Sequence, residues 1–312
     1  MITIHETESI KEPLGRVVAT IGNFDGIHMG HRRIIEKVLE RGQALRLKTV
    51  LITFDPHPAR VIAPFYPLRL IHTKHQKTRM LETTGIDVLL FISFDRDISL
   101  LTAEEFLSQV LLSRMTPEEI YVGENFRFGR NRSADSKTLS ALGEKLGFKV
   151  GIIESVIIDG ETVSSSIIRR MIEDGRVERA SLFLGHLFSI EGEVMPGEGI
   201  GKTIKIPTAN IHPRNELLPR MGVYITESLV AGSKHRSVTN IGIRPTFNLQ
   251  TYSIETHIMD FQSTIYGEEI EVFFHKRIRD ELKFENLEKL REQIERDIEE
   301  MKSFFAGGRP IS

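Results

Sequence analysis

His28 and His31 stand three residues apart in the stretch Gly22-Asn23-Phe24-Asp25-Gly26-Ile27-His28-Met29-Gly30-His31, together with one carboxylate, Asp25. The run before it, Arg16-Val17-Val18-Ala19-Thr20-Ile21, is apolar and β-branched and reads as a buried strand. Behind it comes an amphipathic helix pattern, with Ile34, Ile35, Val38, Leu39 and Leu45 on one face and Arg32, Arg33, Glu36, Lys37 and Arg41 on the other. The stretch is therefore a glycine-punctuated turn from a strand end into a helix N-terminus. Free backbone N–H groups and the positive end of the helix dipole suit such a turn to phosphate. The two imidazoles can hydrogen-bond to charge building on a phosphoryl oxygen as a nucleotide bond breaks. The same residue types suit zinc, with Asp25, His28 and His31 as ligands, but no His-Glu helix motif accompanies them. Taken alone, the stretch also reads as a polar turn with solvated histidines.

Three more loops in the first half follow strand ends. In Thr53-Phe54-Asp55-Pro56-His57-Pro58, two prolines fix an extended turn and display His57; a simple strand terminator is the plain alternative. Val122-Gly123-Glu124-Asn125-Phe126-Arg127-Phe128-Gly129-Arg130-Asn131-Arg132-Ser133 offers arginines and aromatics to a phosphate and a planar ring. An RNA-stacking reading of that loop lacks a basic balance elsewhere. In Val163-Ser164-Ser165-Ser166-Ile167-Ile168-Arg169-Arg170 the serines read as a helix N-terminus, with Arg169 one turn in and Gly175 as the stop. A capped surface helix is the alternative there.

The second half has chemistry of a different kind. Pro196-Gly197-Glu198-Gly199-Ile200-Gly201-Lys202 leads into Ile206-Pro207-Thr208-Ala209-Asn210. Glycine-rich backbone beside Lys202 and the hard oxygens of Thr208 and Asn210 suits polyphosphate and magnesium, although a loose hairpin turn has the same composition. A further polar stretch is Asn240-Ile241-Gly242-Ile243-Arg244-Pro245-Thr246-Phe247. Glu255, in Ile254-Glu255-Thr256-His257, faces opposite to Ile254 on a strand. Facing into a barrel mouth it would serve as a general base; facing out it would be ordinary surface charge.

These residues need two scaffolds. From Arg16 to about Leu184, short apolar runs (Val50–Phe54, Val88–Ile92, Ile120–Val122, Val150–Ile153) alternate with helices, two of them spelled with capping boxes at Thr73 and Thr102. That alternation predicts an α/β domain with a Rossmann-like parallel sheet. From Gly185 onward, successive strands at 187–194, 223–229, 237–243, 252–259 and 270–276 predict a small, mainly antiparallel β-barrel. A terminal helix follows Asn286, with Leu287, Leu290, Ile294, Ile298, Met301 and Phe305 as its apolar stripe. The expected domains are 1–184 and 185–312. Lys and Arg number 41 against 43 acidic residues, so no basic field invites nucleic acid. The absence of cysteine excludes disulfides and thiolate metal sites. No signal peptide or membrane-length apolar run is present, and a cytoplasmic protein is expected.

The motifs resemble those of the bacterial bifunctional riboflavin kinase/FAD synthetase family over nearly the whole chain. Gly-x-Phe-Asp-Gly-x-His-x-Gly-His is similar to that family's nucleotidyltransferase signature. The loops at Thr53, Gly123 and Ser164 match its further motifs in order and separation. Pro207-Thr208-Ala209-Asn210 resembles the riboflavin kinase domain, as do Gly222-Val223-Tyr224, the Asn240 stretch, Glu255-Thr256-His257, Tyr266-Gly267 and Arg279-Asp280-Glu281-x-x-Phe284. The resemblance implies two reactions: phosphorylation of riboflavin to FMN by ATP, and adenylylation of FMN to FAD by a second ATP, both with Mg2+. It implies catalytic roles for His28, His31 and Glu255. Substrate-binding roles fall to Gly22, Asn23, Phe24, Asp25, Gly30, Asn125, Arg127, Ser164, Ser165, Ser166, Arg169, Gly201, Lys202, Thr208 and Asn210, with Thr208 and Asn210 also holding the metal. The implied partners are these small molecules, with neither nucleic acid nor membrane, and self-association is compatible with all of it. Two other readings are an adenylyltransferase with a degenerate kinase half and a flavin-sensing regulatory protein. Several positions depart from the family pattern: Ser166 for threonine, Ala134 for glycine and, in the kinase loop, Lys202 for arginine and Lys205 for glycine. Glycine at 205 would admit positive φ beside the phosphate, and lysine is expected to close most of that space, so Lys205→Gly is expected to lower the kinase KM for ATP about tenfold.

Overall fold

The structure, a computed structural model, describes residues 1–5, 13–197, 199–246 and 249–308. Glu198 and Phe247, named above, lie outside the described residues, as does the side chain of Lys202. The chain divides into two compact units, Met1–Arg69 with Lys74–Ser164, and Leu70–Thr73 with Ser165–Ser312. The four-residue excursion into the second unit is held by its own bonds. The Leu70 N–H donates to Glu216 at 3.2 Å, and the Thr73 hydroxyl donates to Glu191.

The first unit is built on a parallel sheet of β1 (Ile2–His5), β2 (Arg16–Ile21), β3 (Lys48–Phe54), β4 (Val88–Ile92), β5 (Thr116–Gly123) and β6 (Lys149–Ile153), in the order β1-β4-β3-β2-β5-β6. A central parallel strand needs apolar cover on both faces, and β2 supplies it. Val17, Ala19 and Ile21 pack with Phe106, Leu107, Val110 and Leu111. On the other face Val18 packs with Ile34, Ile35 and Val38 of α1 (Met29–Leu45). The chain leaves β2 for β3 and β4 on one side, then crosses to β5 and β6 on the other. The sheet order therefore reverses at β2, and ligands of open α/β sheets settle beyond the carboxyl ends at such a point. The edge strand β1 was not expected from sequence, because the Ile-Thr-Ile-His alternation runs over only four residues.

Inside this unit Glu119 of β5 is buried, and Arg41 of α1 reaches it in a fork, Nε and Nη2 lying 2.8 and 2.7 Å from its oxygens. The Tyr121 hydroxyl donates to the same carboxylate at 2.9 Å. The Arg41 bonds hold the Glu119 carboxyl below its ordinary value, while burial pushes Tyr121 up to about 12. A carboxylate with a depressed folded pKa stabilises fully above its unfolded value and loses that contribution as pH falls through the folded one. Glu119→Gln is therefore expected to lower unfolding free energy at pH 7 by about 2 kcal/mol, the scale of charged hydrogen bonds. Denaturant titrations at pH 7 and pH 3 should show the gap closing at the acid end.

The second unit is a closed antiparallel barrel of β7 (Phe188–Met195), β8 (Ala209–Pro213), β9 (Gly222–Val230), β10 (Ser233–Thr246), β11 (Leu249–Ile258) and β12 (Glu269–Arg279), in the order β7-β8-β11-β10-β9-β12. Two helices, Ser165–Glu173 and Val177–Leu184, precede it. One face of β9, β10 and β11 carries fully buried hydroxyls that bond to one another. Ser228 reaches Ser237, Ser237 reaches Thr226, and Thr226 leads through Thr239 to Thr256, at 2.7–2.9 Å. The opposite face, with Val223, Ile225 and Val238, is covered by Ile204, Ile206 and the terminal helix Leu287–Ala306.

Asn286 caps that helix as expected, its side chain accepting from the Lys289 N–H. Ile298 and Met301 are its buried contacts, whereas Leu287 stays exposed and does not join the stripe. Between the apolar contacts Asp297 is buried and gripped by Arg279 of β12 at 2.7 Å, an ion pair that the periodicity did not reveal.

Candidate active sites

The turn after β2 is held by backbone geometry that few side chains adopt. Gly26 has φ +90°, and the non-glycine residues Phe24 and Ile27 have φ +48° and +41°. Positive φ is a strain for any bulky residue and most of all for a β-branched one. Both side chains are buried, Phe24 at 1% and Ile27 at 2% exposure, so core packing holds the conformation.

The turn delivers His28 to the N-cap of α1, where its Nδ1 accepts the backbone N–H of His31 at 3.3 Å. An accepting Nδ1 is unprotonated, which places the proton of neutral His28 on Nε2 as a donor. The His28 and His31 rings stack at 3.6 Å between centroids, 15° from parallel. Stacked rings present their edges side by side and do not converge on one ion, which argues against the zinc reading. Among the described residues no cluster of three His, Cys, Asp or Glu could hold a metal. Gly30 makes room for this arrangement, since a Cβ there would stand 3.3 Å from the His28 ring. Burial first, then His28 and Lys77, push the pKa of His31 well below its ordinary value, so the ring is uncharged at neutral pH.

The other first-unit loops end at the same edge of the sheet. Lys77 of the helix Lys74–Glu82 ties two of them together, donating at 2.7 Å to the Asn23 carbonyl and at 2.7 Å to the Thr53 hydroxyl. His57 caps a short helix, Pro58–Ile62, by accepting from the Ala59 N–H. After β5, Asn125 donates to Ser155 at 3.0 Å, and Arg127 is paired with Asp135 at 2.9 Å. Asp135 also caps the helix Ser136–Leu146, and those bonds pull its carboxyl to about 2. Ala134 is buried at 3% and paired with Phe128 in a two-residue strand, so its methyl fits where the family has glycine. Ser164 closes the first unit; Ser165, Ser166 and Arg169 stand on the helix Ser165–Glu173 of the second.

In the barrel, Glu255 of β11 lies directly between Asn210 of β8 and Asn240 of β10. By alternation this row lies opposite to buried Thr239 and Thr256, on the face shared with Val238. Neither earlier alternative for Glu255 describes that placement. It does not enter the barrel, and it is half-buried, accepting from Ser253 Oγ at 3.0 Å. On the same face His257 Nδ1 donates to the Pro207 carbonyl at 2.8 Å, fastening the strand to the Pro-Thr-Ala-Asn segment. The sequence around Asn240 does not mark it as a site residue; its register with Glu255 does.

The loop leading into Thr208 must be glycine-rich. A Cβ on Gly197 would stand 2.0 Å from Asn210 Nδ2, and one on Gly201 2.4 Å from the Ile206 carbonyl and 3.2 Å from Thr208 Oγ1. Gly201 begins one end of a closed loop, its carbonyl accepting the Ile206 N–H at 2.8 Å. Lys205 in that loop has φ +63°. The expectation that lysine excludes positive φ is therefore overturned: the left-handed conformation is retained and lysine bears the strain. Lys205→Gly should then stabilise the barrel by no more than ~0.5 kcal/mol, relief of the left-handed penalty being largely offset by the freedom of glycine when unfolded. Because the backbone is already placed, the kinase KM for ATP should move by less than about threefold, not tenfold. Thermal unfolding and an ATP titration of the variant check both.

A parallel-sheet unit with a histidine turn at its switch point, joined to a barrel with a glycine-rich phosphate loop, defines a two-site nucleotide-using transferase. Family models described as FAD synthetase and riboflavin kinase match residues 10–167 and 184–305. A bifunctional riboflavin kinase/FMN adenylyltransferase of Escherichia coli is 36% identical over 295 residues, 94% of each chain. That of Bacillus subtilis is 33% identical over 99% of this chain and all of the relative. A crystal structure from Streptococcus pneumoniae, described as a macrolide-efflux protein, superposes with TM-score 0.89 at 29% identity, covering 97% of this chain and 99% of that one. The chain belongs to the bifunctional riboflavin kinase/FMN adenylyltransferase family.

Proposed function

We propose that the barrel phosphorylates riboflavin on the Asn210–Glu255–Asn240 face and that the β2–α1 turn adenylylates the resulting FMN. The reading is carried by one observation: each family match falls on a unit with its own candidate phosphate loop. We place the working boundary at 184/185, with the adenylyltransferase in 1–184 and the kinase in 185–312.

In the kinase, Glu255 takes the proton from the riboflavin 5′-hydroxyl as the γ-phosphoryl arrives. Thr208 and Asn210 would hold Mg2+. They are neutral oxygen donors lying against glycine backbone, a set that suits a hard cation arriving with polyphosphate as its counter-charge. Mg2+ would neutralise charge on the transferring phosphoryl oxygens. In the adenylyltransferase, His28 and His31 donate to the α-phosphoryl oxygens while Gly22 and Gly30 keep the turn clear of side chains and Asn23 stands among the substrate contacts. Asn125, Arg127 and Ser164, all of the same unit, complete the nucleotide and flavin contacts. A cytoplasmic location fits these substrates. No helix among the described residues is long and apolar enough to cross a membrane.

Incubation with riboflavin, ATP and Mg2+ tests the reading. FMN followed by FAD is expected. FAD only from supplied FMN would reduce the barrel to flavin binding, and tight flavin binding without turnover would make the protein a sensor.

A further inference from the structure

Lys77 lies in the run Lys74-His75-Gln76-Lys77-Thr78-Arg79, whose composition reads as a solvated helix face. Its ammonium is instead turned to the carboxyl ends of β2 and β3. It donates to the Asn23 carbonyl and the Thr53 hydroxyl, and Thr53 also donates to Asn23 at 3.1 Å. The charged and titratable groups around it are Asp25 from the turn, His31 from α1, Asp55 from the loop after β3, and Lys74 on its own helix. Lys74 is itself paired with Asp55. Both hydrogen bonds of Lys77 go to neutral oxygens, so burial dominates and brings the amine down to about 8.

A staple between a carbonyl and a hydroxyl needs only a donor. A neutral amide would serve without the penalty of desolvating a charge. A lysine also carries three protons, of which two are used here. A partly desolvated cation with a proton to spare, beside two neutral imidazole donors at a phosphate-type turn, is an arrangement suited to an anion.

We propose that Lys77 is a catalytic cation of adenylyl transfer, its third N–H and its charge set against the phosphoryl oxygens around the α-phosphorus of ATP. The proposal rests on the reading of the β2–α1 turn as the FAD-forming site. In that step an FMN phosphate oxygen bonds to the α-phosphorus. The bond from that phosphorus to the α,β-bridging oxygen breaks, and its electron pair leaves on pyrophosphate. The attacking phosphate is already an anion, so no base is required. Negative charge simply moves from the attacking to the leaving oxygen, through equatorial oxygens that become more crowded with charge. Fixed positive charge helps that transition state more than a base could. His28 and His31, both neutral donors, do not supply it.

The test uses the full chain with Lys77→Met, Lys77→Gln and Lys77→Arg, each assayed for FAD from supplied FMN, ATP and Mg2+ and for FMN from riboflavin. Lys77→Met and Lys77→Gln should lose ~10²-fold in kcat for FAD formation, the scale of one preorganised donor. Lys77→Arg should retain more than either. Riboflavin phosphorylation should be unchanged in all three. The wild-type FAD-forming rate should decline as pH rises through about 8, where the ammonium gives up its proton. Lys77→Arg should carry its activity to higher pH, a difference that a purely structural staple would not produce. Should Lys77→Met fail to fold, Lys77→Gln keeps a donor without the charge and decides the matter. Near-wild-type FAD formation by folded Lys77→Gln, or the same alkaline decline in Lys77→Arg, would overturn the proposal. Wild-type protein that makes no FAD would instead overturn the underlying site reading.

Discussion

His31→Ala is expected to lower FAD formation by ~10²–10³-fold while riboflavin phosphorylation continues, because one preorganised donor contributes on that scale and the kinase stands on another unit. The geometry sharpens the expectation. The Nδ1 of His31 is buried with no hydrogen-bond partner, and the ring is clamped between Phe24 at 5.0 Å and His28 at 3.6 Å. Rotation is thus closed off, and burial holds its pKa down, so the ring is already neutral and oriented. His28→Ala should match it in FAD formation but should also weaken the start of α1, since the cap to His31 is lost. His28→Asn separates the two effects: asparagine is a good N-cap but offers no Nε2 donor. Stability should return with Asn, and FAD formation should not. Equal loss of both activities in a folded His31→Ala protein would count against two separate sites.

How much of this was legible depends on whether a residue's role is set by its neighbours in sequence. The β2–turn–α1 unit was readable because an apolar strand, three glycines and an amphipathic helix are consecutive. The same holds for the Thr102–Glu105 capping box, whose reciprocal bonds are both made, and for the Asn286 cap. Lys77 was not readable, because its neighbours Lys74, Gln76 and Arg79 are polar and only tertiary packing turns it towards Asn23 and Thr53. Asp297 failed for the same reason: a buried carboxylate in a helix stripe is disclosed only by its partner Arg279, 18 residues away. Strand β8 was missed because Pro-Thr-Ala-Asn looks like a turn, and its pairing with β7 and β11 comes from barrel closure. Lys205 shows the opposite error. Local preference argued against positive φ, but Ile204 and Ile206 on either side are buried at 7% exposure, and their packing imposes it.

Glu255→Gln should reduce riboflavin phosphorylation by ~10²-fold or more while supplied FMN is still converted to FAD. The substitution is nearly isosteric, and a glutamine carbonyl can still accept from Ser253 Oγ, so the fold of β11 should be undisturbed. What disappears is the capacity to take a proton. That capacity matters because the 5′-hydroxyl must lose its proton as it bonds to the γ-phosphorus. The residues beside Glu255 in the cross-strand row, Asn210 and Asn240, are amides that cannot take it instead. His257 is on the same face, but its Nδ1 is committed to the Pro207 carbonyl, which fixes the ring to the loop. Glu255→Asp should keep the base while withdrawing it by one methylene, and should fall between wild type and Glu255→Gln. A near-normal kinase rate in Glu255→Gln would mean that the carboxylate only buttresses the row, and the base would have to be sought elsewhere. One alternative is Glu281, whose Oε1 lies 2.2 Å from where a Cβ on Gly242 would stand, Gly242 being two residues from Asn240 on β10. Combining the rate of Glu281→Gln with that of Glu255→Gln therefore decides which of the two carboxylates accepts the proton.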